Sequence, residues 1–306
     1  MPSLFLIDAN SLVHRSFHAL PPFTGSDKKP TGALYGISNT LLKLIKEERP
    51  DFIAAFFDRP EPTFREEVFR KYKAQRPKAP DELISQIIEA RNLFAAFGIR
   101  TFEEPGFEAD DLIGTYTEKL RVVPHLTIKI ITNDLDMTQL VDDGKVAVYT
   151  AQKNTNGTAI YDEKAVKEKF GVLPLQLPEY KALAGDWSDN IPGVFGIGPK
   201  MAAILLEKHG SLEKIISSKT VGGAEEKVRA QEEMVRAFHV VATIIKNAPF
   251  SVNSIEDLRY GKIPLEKVVA YFNSLGFKSL ATRAEKESLR EKTTQSKRSP
   301  KQKSLL

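Results

Sequence analysis

The chain has 306 residues, 42% hydrophobic and 27% charged, which is ordinary globular composition and enough for a sizeable core and two linked units. No apolar run reaches the roughly 18 residues of a membrane span, MPSLFLIDAN lacks a signal peptide's basic region and cleavage site, and no cysteine is available for disulfides or thiolate metal sites. A cytoplasmic protein is expected, and its net charge of only +4, with a pI near 8.9, hides local separation of sign.

From the N-terminus, short apolar runs alternate with segments of helical period, the pattern of a parallel α/β sheet. Residues 4–7 are the first predicted strand and lead into Asp8. A helix at 33–47 follows, then a strand at 52–57 ending at Asp58. RKYKAQRPK, residues 70–78, carries Arg70, Lys71, Lys73, Arg76 and Lys78 with no acid. Its plain reading is a solvated surface face. Tyr72 among the bases and Pro77 beyond them suggest instead a segment standing off the domain, able to stack on a base and hold phosphates.

A helix at 82–97 stops at Gly98. A strand at 99–103 precedes Glu108, Asp110 and Asp111, which open a helix at 109–120. A strand at 127–131 runs toward Asp134 and Asp136, and the last predicted strand is 146–149. Beyond about residue 175 the pattern is helical, at 178–184, 199–208, 211–217, 225–246 and 264–274. GDWSDN supplies Asp186 and Asp189. Gly193, Gly196 and Gly198 then punctuate a turn into the helix at Pro199, with Lys200 in its first turn. Exposed amides there suit an anion such as phosphate. From Ala284 the chain turns polar, and a disordered basic tail is expected over 284–306.

Nine acids thus stand where strands end or helices begin: Asp8, Asp58, Glu108, Asp110, Asp111, Asp134, Asp136, Asp186 and Asp189. Any one alone is explained as a helix cap or turn residue. Five separate segments doing this at the carboxyl edge of one sheet are better explained by convergence in a crevice. Such a cluster cannot stay ionised without cations. All-oxygen donors, with the five histidines outside the motifs, favour Mg²⁺ or Mn²⁺ over Zn²⁺ and suggest phosphoryl chemistry with two ions, one activating water and one stabilising the leaving oxygen.

LIDANSLVHRSFHAL, FFDRPEPTFR, YKAQRP, EADDLIGT, TNDLDMTQLV and GDWSDNIPGVFGIGPKMA follow in order over residues 4 to 275. Together they resemble the 5′-3′ exonuclease (flap endonuclease type) domain at the N-terminus of bacterial DNA polymerase I. The resemblance implies an α/β PIN-like domain with a central, mostly parallel sheet over 1–174, including a basic arch at 65–82. It implies an all-helical DNA-binding domain with a helix-three-turn-helix motif over 175–283. In this family Asp8, Asp58, Glu108 and Asp110 hold the first metal with Asp111 beside them, and Asp134, Asp136, Asp186 and Asp189 hold the second. The resemblance further implies that Lys73 and Arg76 steady the scissile phosphate, that Arg15 and Arg65 contact substrate, and that Gly196, Gly198 and Lys200 grip duplex phosphates together with a bound K⁺. The implied partners are DNA with a 5′ flap, nick or free 5′ end, an RNA primer, and a polymerase region in cis or trans, around a monomeric nuclease. A haloacid dehalogenase type phosphatase needs an acid where Asn10 stands, and a nucleotide-cofactor enzyme needs a glycine-rich loop after the first strand. A catalytically silent DNA-binding module is the alternative from another class.

Overall fold

The computed structural model describes residues 1–21, 23–25, 29–151 and 157–286. In chain order the elements are β1 (Ser3–Asp8), α1 (Ala9–Ala19), α2 (Gly32–Glu48), β2 (Phe52–Phe56), α3 (Phe64–Val68), α4 (Asp81–Ala96), β3 (Arg100–Phe102), α5 (Ala109–Leu120), β4 (Thr127–Ile131), β5 (Val146–Ala151) and β6 (Thr158–Tyr161). They continue with α6 (Glu163–Phe170), α7 (Leu177–Ala184), α8 (Pro199–His209), α9 (Leu212–Ile216), α10 (Gly223–Ala230), α11 (Glu232–Ala242) and α12 (Leu265–Ser274). A final helical stretch occupies 278–286.

One six-stranded sheet runs in the order β3-β2-β1-β4-β5-β6. The β1–β2, β1–β4 and β4–β5 pairs are parallel, and β5–β6 is antiparallel. Every residue of β1 is buried, as expected of a central strand covered on both faces. The expected mostly parallel sheet flanked by helices is therefore present, followed by an all-helical region after β6.

Differences from the sequence reading have local causes. α1 begins directly at the residue after β1, leaving no loop to announce it. β6 alternates exposed and half-buried positions over four residues, too short and too polar to stand out. The single helix expected at 225–246 breaks at Gln231, whose φ of −122° and ψ of 25° are not helical. Its side chain instead accepts from the Phe195 amide and donates to the Lys227 carbonyl.

The chain divides into two compact units, interleaved in sequence. The first comprises residues 1–11, 50–78 and 102–259. Its sheet core gathers Leu4, Leu6, Phe56, Ile113, Tyr116, Ile130 and Ile244. A second core within it joins Leu183, Val194, Leu206 and Phe238 to Tyr72. Gly114 lets α5 approach 244–245: a Cβ there would lie 2.5 Å from Ile244 Cγ2 and 2.8 Å from the Ile245 carbonyl oxygen.

The second unit comprises 12–49, 79–101 and the chain from residue 260. In it the buried Gln86 side chain on α4 accepts from the Ala33 amide at the start of α2, at 2.7 Å. Phe97 packs on Phe272, and Tyr260 donates to the Phe97 carbonyl. Ala284 is buried and helical; the rest of the expected basic tail, 287–306, lies outside the described residues. Among the described residues no helix is long and apolar enough to cross a membrane.

Candidate metal centre

Parallel register fixes where the acids leave the sheet. Asp8 pairs with Phe56, and Ile7 pairs with Ile131, so Asp8, Asp58 and Asp134 emerge at one edge. Asp8 accepts from Thr132 Oγ1 at 2.7 Å and from the Ser11 amide at 2.9 Å. The same Thr132 oxygen accepts from the Asp134 amide at 3.0 Å, tying the two strand ends together. Asp58 accepts from the Ala109 amide at 2.7 Å, which draws the start of α5, with Glu108 and Asp110, to the same edge. Asn10 Nδ2 donates to the other Asp58 oxygen at 3.0 Å.

The electrostatics follow from this crowding of buried carboxyls. Burial and then the neighbouring Asp58 push the Asp8 carboxyl up to about 7. Burial raises Asp58 as well, with Glu108 adding to it. Asp110 rises through burial and the charges of Asp134, Asp8 and Glu108. Asp136 is pushed up to about 7 by burial and Asp134. Asp136, Asp186 and Asp189 each offer a carboxylate oxygen, all within 4.8 Å of one another. Eight of the nine acids thus form one continuous field of negative charge.

Four cationic side chains border it, Lys73, Arg65, Arg76 and Lys181. Lys73 Nζ lies 2.8 Å from Glu108 Oε2, and Lys73 and Arg65 outweigh burial to leave Glu108 below its usual range. Arg76 Nη2 donates to Asp189 Oδ1 at 2.8 Å, yet burial keeps that carboxyl raised. Lys181 of α7 donates to both Asp136 and Asp186, and this pairing outweighs burial in lowering Asp186. Lys73 itself has a positive φ of 53°, held by its amide bond to the Asp189 carbonyl at 3.1 Å. A lysine held in the left-handed region costs on the order of 1–3 kcal/mol and persists only where its surroundings impose it. Buried hard-oxygen donors whose charges oppose one another fit divalent cations of the Mg²⁺ or Mn²⁺ kind, which remove that opposition.

Asp111 departs from the expected set. It is fully buried, and its two oxygens accept from Arg65 at 2.7 Å each. It also accepts from the Ile245 and Glu108 amides, and Arg65 donates onward to the Val241 and Thr243 carbonyls. With its lone pairs taken up inside, Asp111 joins α5 to the end of α11. Arg65, expected at the substrate, is only 2% exposed and is its counter-ion. Tyr72, expected to stack on a base, is buried in the helical core with its hydroxyl 3.3 Å from Glu108. Arg70, Lys71, Arg76, Gly196, Gly198 and Lys200 are exposed, whereas Arg15 lies half-buried on α1 in the second unit.

Sequence reasoning missed Thr132, Asn10 and Lys181. Asn10 stood two residues after Asp8 and was used only to exclude a phosphatase. Lys181 gave no signal, because its neighbours Ala182 and Leu183 are core residues and its partners lie in two other segments.

Residues 3–171 match the family model for the N-terminal resolvase-like domain of 5′-3′ exonucleases, and residues 172–266 match the model for its C-terminal SAM fold. A 5′-3′ exonuclease of Aquifex aeolicus is 36% identical over 286 residues, covering 94% of this chain and 96% of that protein. DNA polymerase I of Caldicellulosiruptor bescii is 40% identical over 283 residues, 92% of this chain. The chain spans only 33% of that polymerase's length. In structure, the phage T5 D15 flap endonuclease, solved with DNA and metal ions, aligns with a TM-score of 0.64 at 21% identity, covering 93% of this chain and 98% of that one. With both family models matched in succession and a relative aligned over nearly its whole length, the chain belongs to the 5′-3′ exonuclease family.

Proposed function

We propose that the chain is a divalent-metal-dependent 5′-3′ exonuclease and structure-specific 5′ flap endonuclease that hydrolyses DNA phosphodiesters, removing primers or flaps in replication and repair. The observation that carries this reading is the gathering of Asp8, Asp58, Glu108, Asp110 and Asp134 at one sheet edge, continued by the close group of Asp136, Asp186 and Asp189. Asp8, Asp58, Glu108 and Asp110 are the first metal set; Asp134, Asp136, Asp186 and Asp189 are the second. When bound, the ions supply Lewis-acid charge that acidifies the attacking water and offsets charge on the leaving oxygen.

The chain's own residues orient and neutralise. Thr132, Ser11 and Asn10 fix the rotamers of Asp8 and Asp58. Lys73 and Arg76 present positive charge beside Glu108 and Asp189, where they steady the scissile phosphate as charge develops on it. Asp111 works with Arg65 as the support of α5 rather than as a ligand. Arg70 and Lys71 contact the single-stranded 5′ end, and Arg15 contacts substrate. Gly196, Gly198 and Lys200 grip the duplex backbone, with a K⁺ ion as a further element of that turn. Gly198 supports this assignment: a Cβ there would meet nothing within 4 Å, so the fold itself does not require glycine. Residues 1–174 form the catalytic domain and 175–283 the DNA-binding domain of a cytoplasmic, monomeric nuclease. It works with a polymerase region in cis or trans and also accepts RNA primers.

A labelled 5′-flap duplex incubated with the chain in Mg²⁺ and in EDTA tests this. Cleavage near the flap base only in Mg²⁺ is expected; binding without cleavage in Mg²⁺ or Mn²⁺ identifies a silent DNA-binding module instead.

A further inference from the structure

Trp187, the only tryptophan in the chain, is 87% exposed. Tryptophan is the side chain with most to gain from burial, and an isolated one left in water marks a contact surface more readily than an exposed leucine does. Its position is not that of a loose loop tip. The Trp187 carbonyl accepts from Gln75 Nε2 at 2.8 Å and from the Asn190 amide at 3.2 Å. Asn190 Nδ2 in turn donates to the Lys71 carbonyl at 2.6 Å, and Asp186 is bridged to Ile191. On either side stand Asp186 and Asp189, whose oxygens belong to the close carboxylate group.

The main chain is therefore held while the indole faces solvent, one residue from a candidate ligand and tied to the basic segment through Lys71 and Gln75. We propose that Trp187 is a stacking platform for a nucleobase next to the cleaved phosphate, fixing which phosphodiester enters the carboxylate site. Carboxylates repel a polyanion, so a neutral π-surface is a suitable anchor here: every base has an apolar face that it can cover. The proposal rests on the DNA-cleaving reading and adds a positioning contact to it.

The sole tryptophan is its own probe. In EDTA, titration with a 5′-flap duplex is expected to quench its emission saturably, with the same midpoint as binding measured by fluorescence anisotropy of labelled DNA. Trp187→Ala is expected to weaken binding about fivefold to a hundredfold, in line with the worth of one base–aromatic stack, and to scatter the cleavage position in Mg²⁺. Trp187→Phe should recover most of both. An abasic nucleotide beside the cleavage position should cost wild type about the same factor and Trp187→Ala little. If wild type binds and cleaves the flap while Trp187→Ala matches it in affinity and cleavage position, stacking is overturned and the nuclease reading stands. If affinity falls equally with and without the abasic nucleotide, the contact is not to a base and the proposal fails. If wild type neither binds nor cleaves, both fall together. Circular dichroism of the variants confirms that this exposed substitution leaves the fold intact.

Discussion

Asp110 and Asp111 are adjacent in sequence and meet opposite environments. Asp110 is raised by burial and then by the carboxylates it faces, whereas Asp111 is satisfied by a bidentate guanidinium. Substitutions should separate the two roles. Asp8→Asn is expected to lower cleavage at least ~100-fold while DNA affinity in EDTA stays within a few-fold, because the proposed DNA contacts are the basic residues and the α8 turn and not Asp8. In EDTA at neutral pH the same change should raise the melting temperature, since it removes a buried charge opposed by Asp58. A cleavage rate close to wild type would remove Asp8 from the first metal set. Arg65→Met should do the reverse: it strands the Asp111 carboxylate in the interior and costs on the order of 3–5 kcal/mol, read by urea unfolding. An unchanged midpoint would mean that the Arg65–Asp111 pair supports nothing.

At the level of elements, two glycines of one loop carry different loads. Gly193 has a φ of 72°, and a Cβ there would lie 2.4 Å from the Gly185 nitrogen and 2.8 Å from the Leu183 carbonyl oxygen. Gly193→Ala must therefore force the Asp186–Ile191 loop open, lowering the melting temperature and displacing Asp186 and Asp189 together. Gly198 caps α8 with φ −99° and ψ −179°, a conformation any residue adopts, and faces open space. Gly198→Ala should fold like wild type and lose duplex affinity measured by anisotropy, because its methyl group obstructs close approach of a phosphate to the α8 amides. Equal thermal stability of the two variants would contradict this division. α7 carries a comparable device in Lys181, which holds Asp136 and Asp186 as a cation does. Lys181→Ala is expected to destabilise the protein in EDTA and to gain more melting temperature from Mg²⁺ than wild type gains.

Across the whole molecule the carboxylate field links metal, pH and stability. A carboxyl whose pKa is higher folded than unfolded holds its proton more tightly in the folded state. Its contribution is present at low pH and is lost as pH rises from the ordinary aspartate value of 3.8 toward about 7, as for Asp8 and Asp136. Thermal unfolding in EDTA should therefore show these two acids lowering stability across that interval. Mg²⁺ should restore more above pH 7 than below pH 4, because it binds the deprotonated form. A Mg²⁺ benefit independent of pH would show that the raised acids are not its ligands. If DNA is held by Arg70, Lys71 and Lys200 as proposed, affinity should fall linearly in log–log with salt, by ~0.9 for each duplex phosphate neutralised.

The sequence by itself determined five of the six strands, the helical region after about residue 175, and the nine acids at element ends, because periodicity and turn chemistry are local properties. It also carried the six ordered motifs that resemble the 5′-3′ exonucleases. Tertiary structure decided which acids share a field. Asp111 was placed beside the first metal by the motif EADDL and its resemblance, and only the fold shows that Arg65, 46 residues away, has already neutralised it. Lys181 was invisible for the same reason, since its two carboxylate partners lie 45 and five residues away in chain order. Exposure was equally out of reach: the pattern that made Tyr72 a surface aromatic left Trp187 unremarked, and burial reversed the two. Such assignments depend on how much of each side chain other segments cover, a sum over distant contacts that no local pattern encodes.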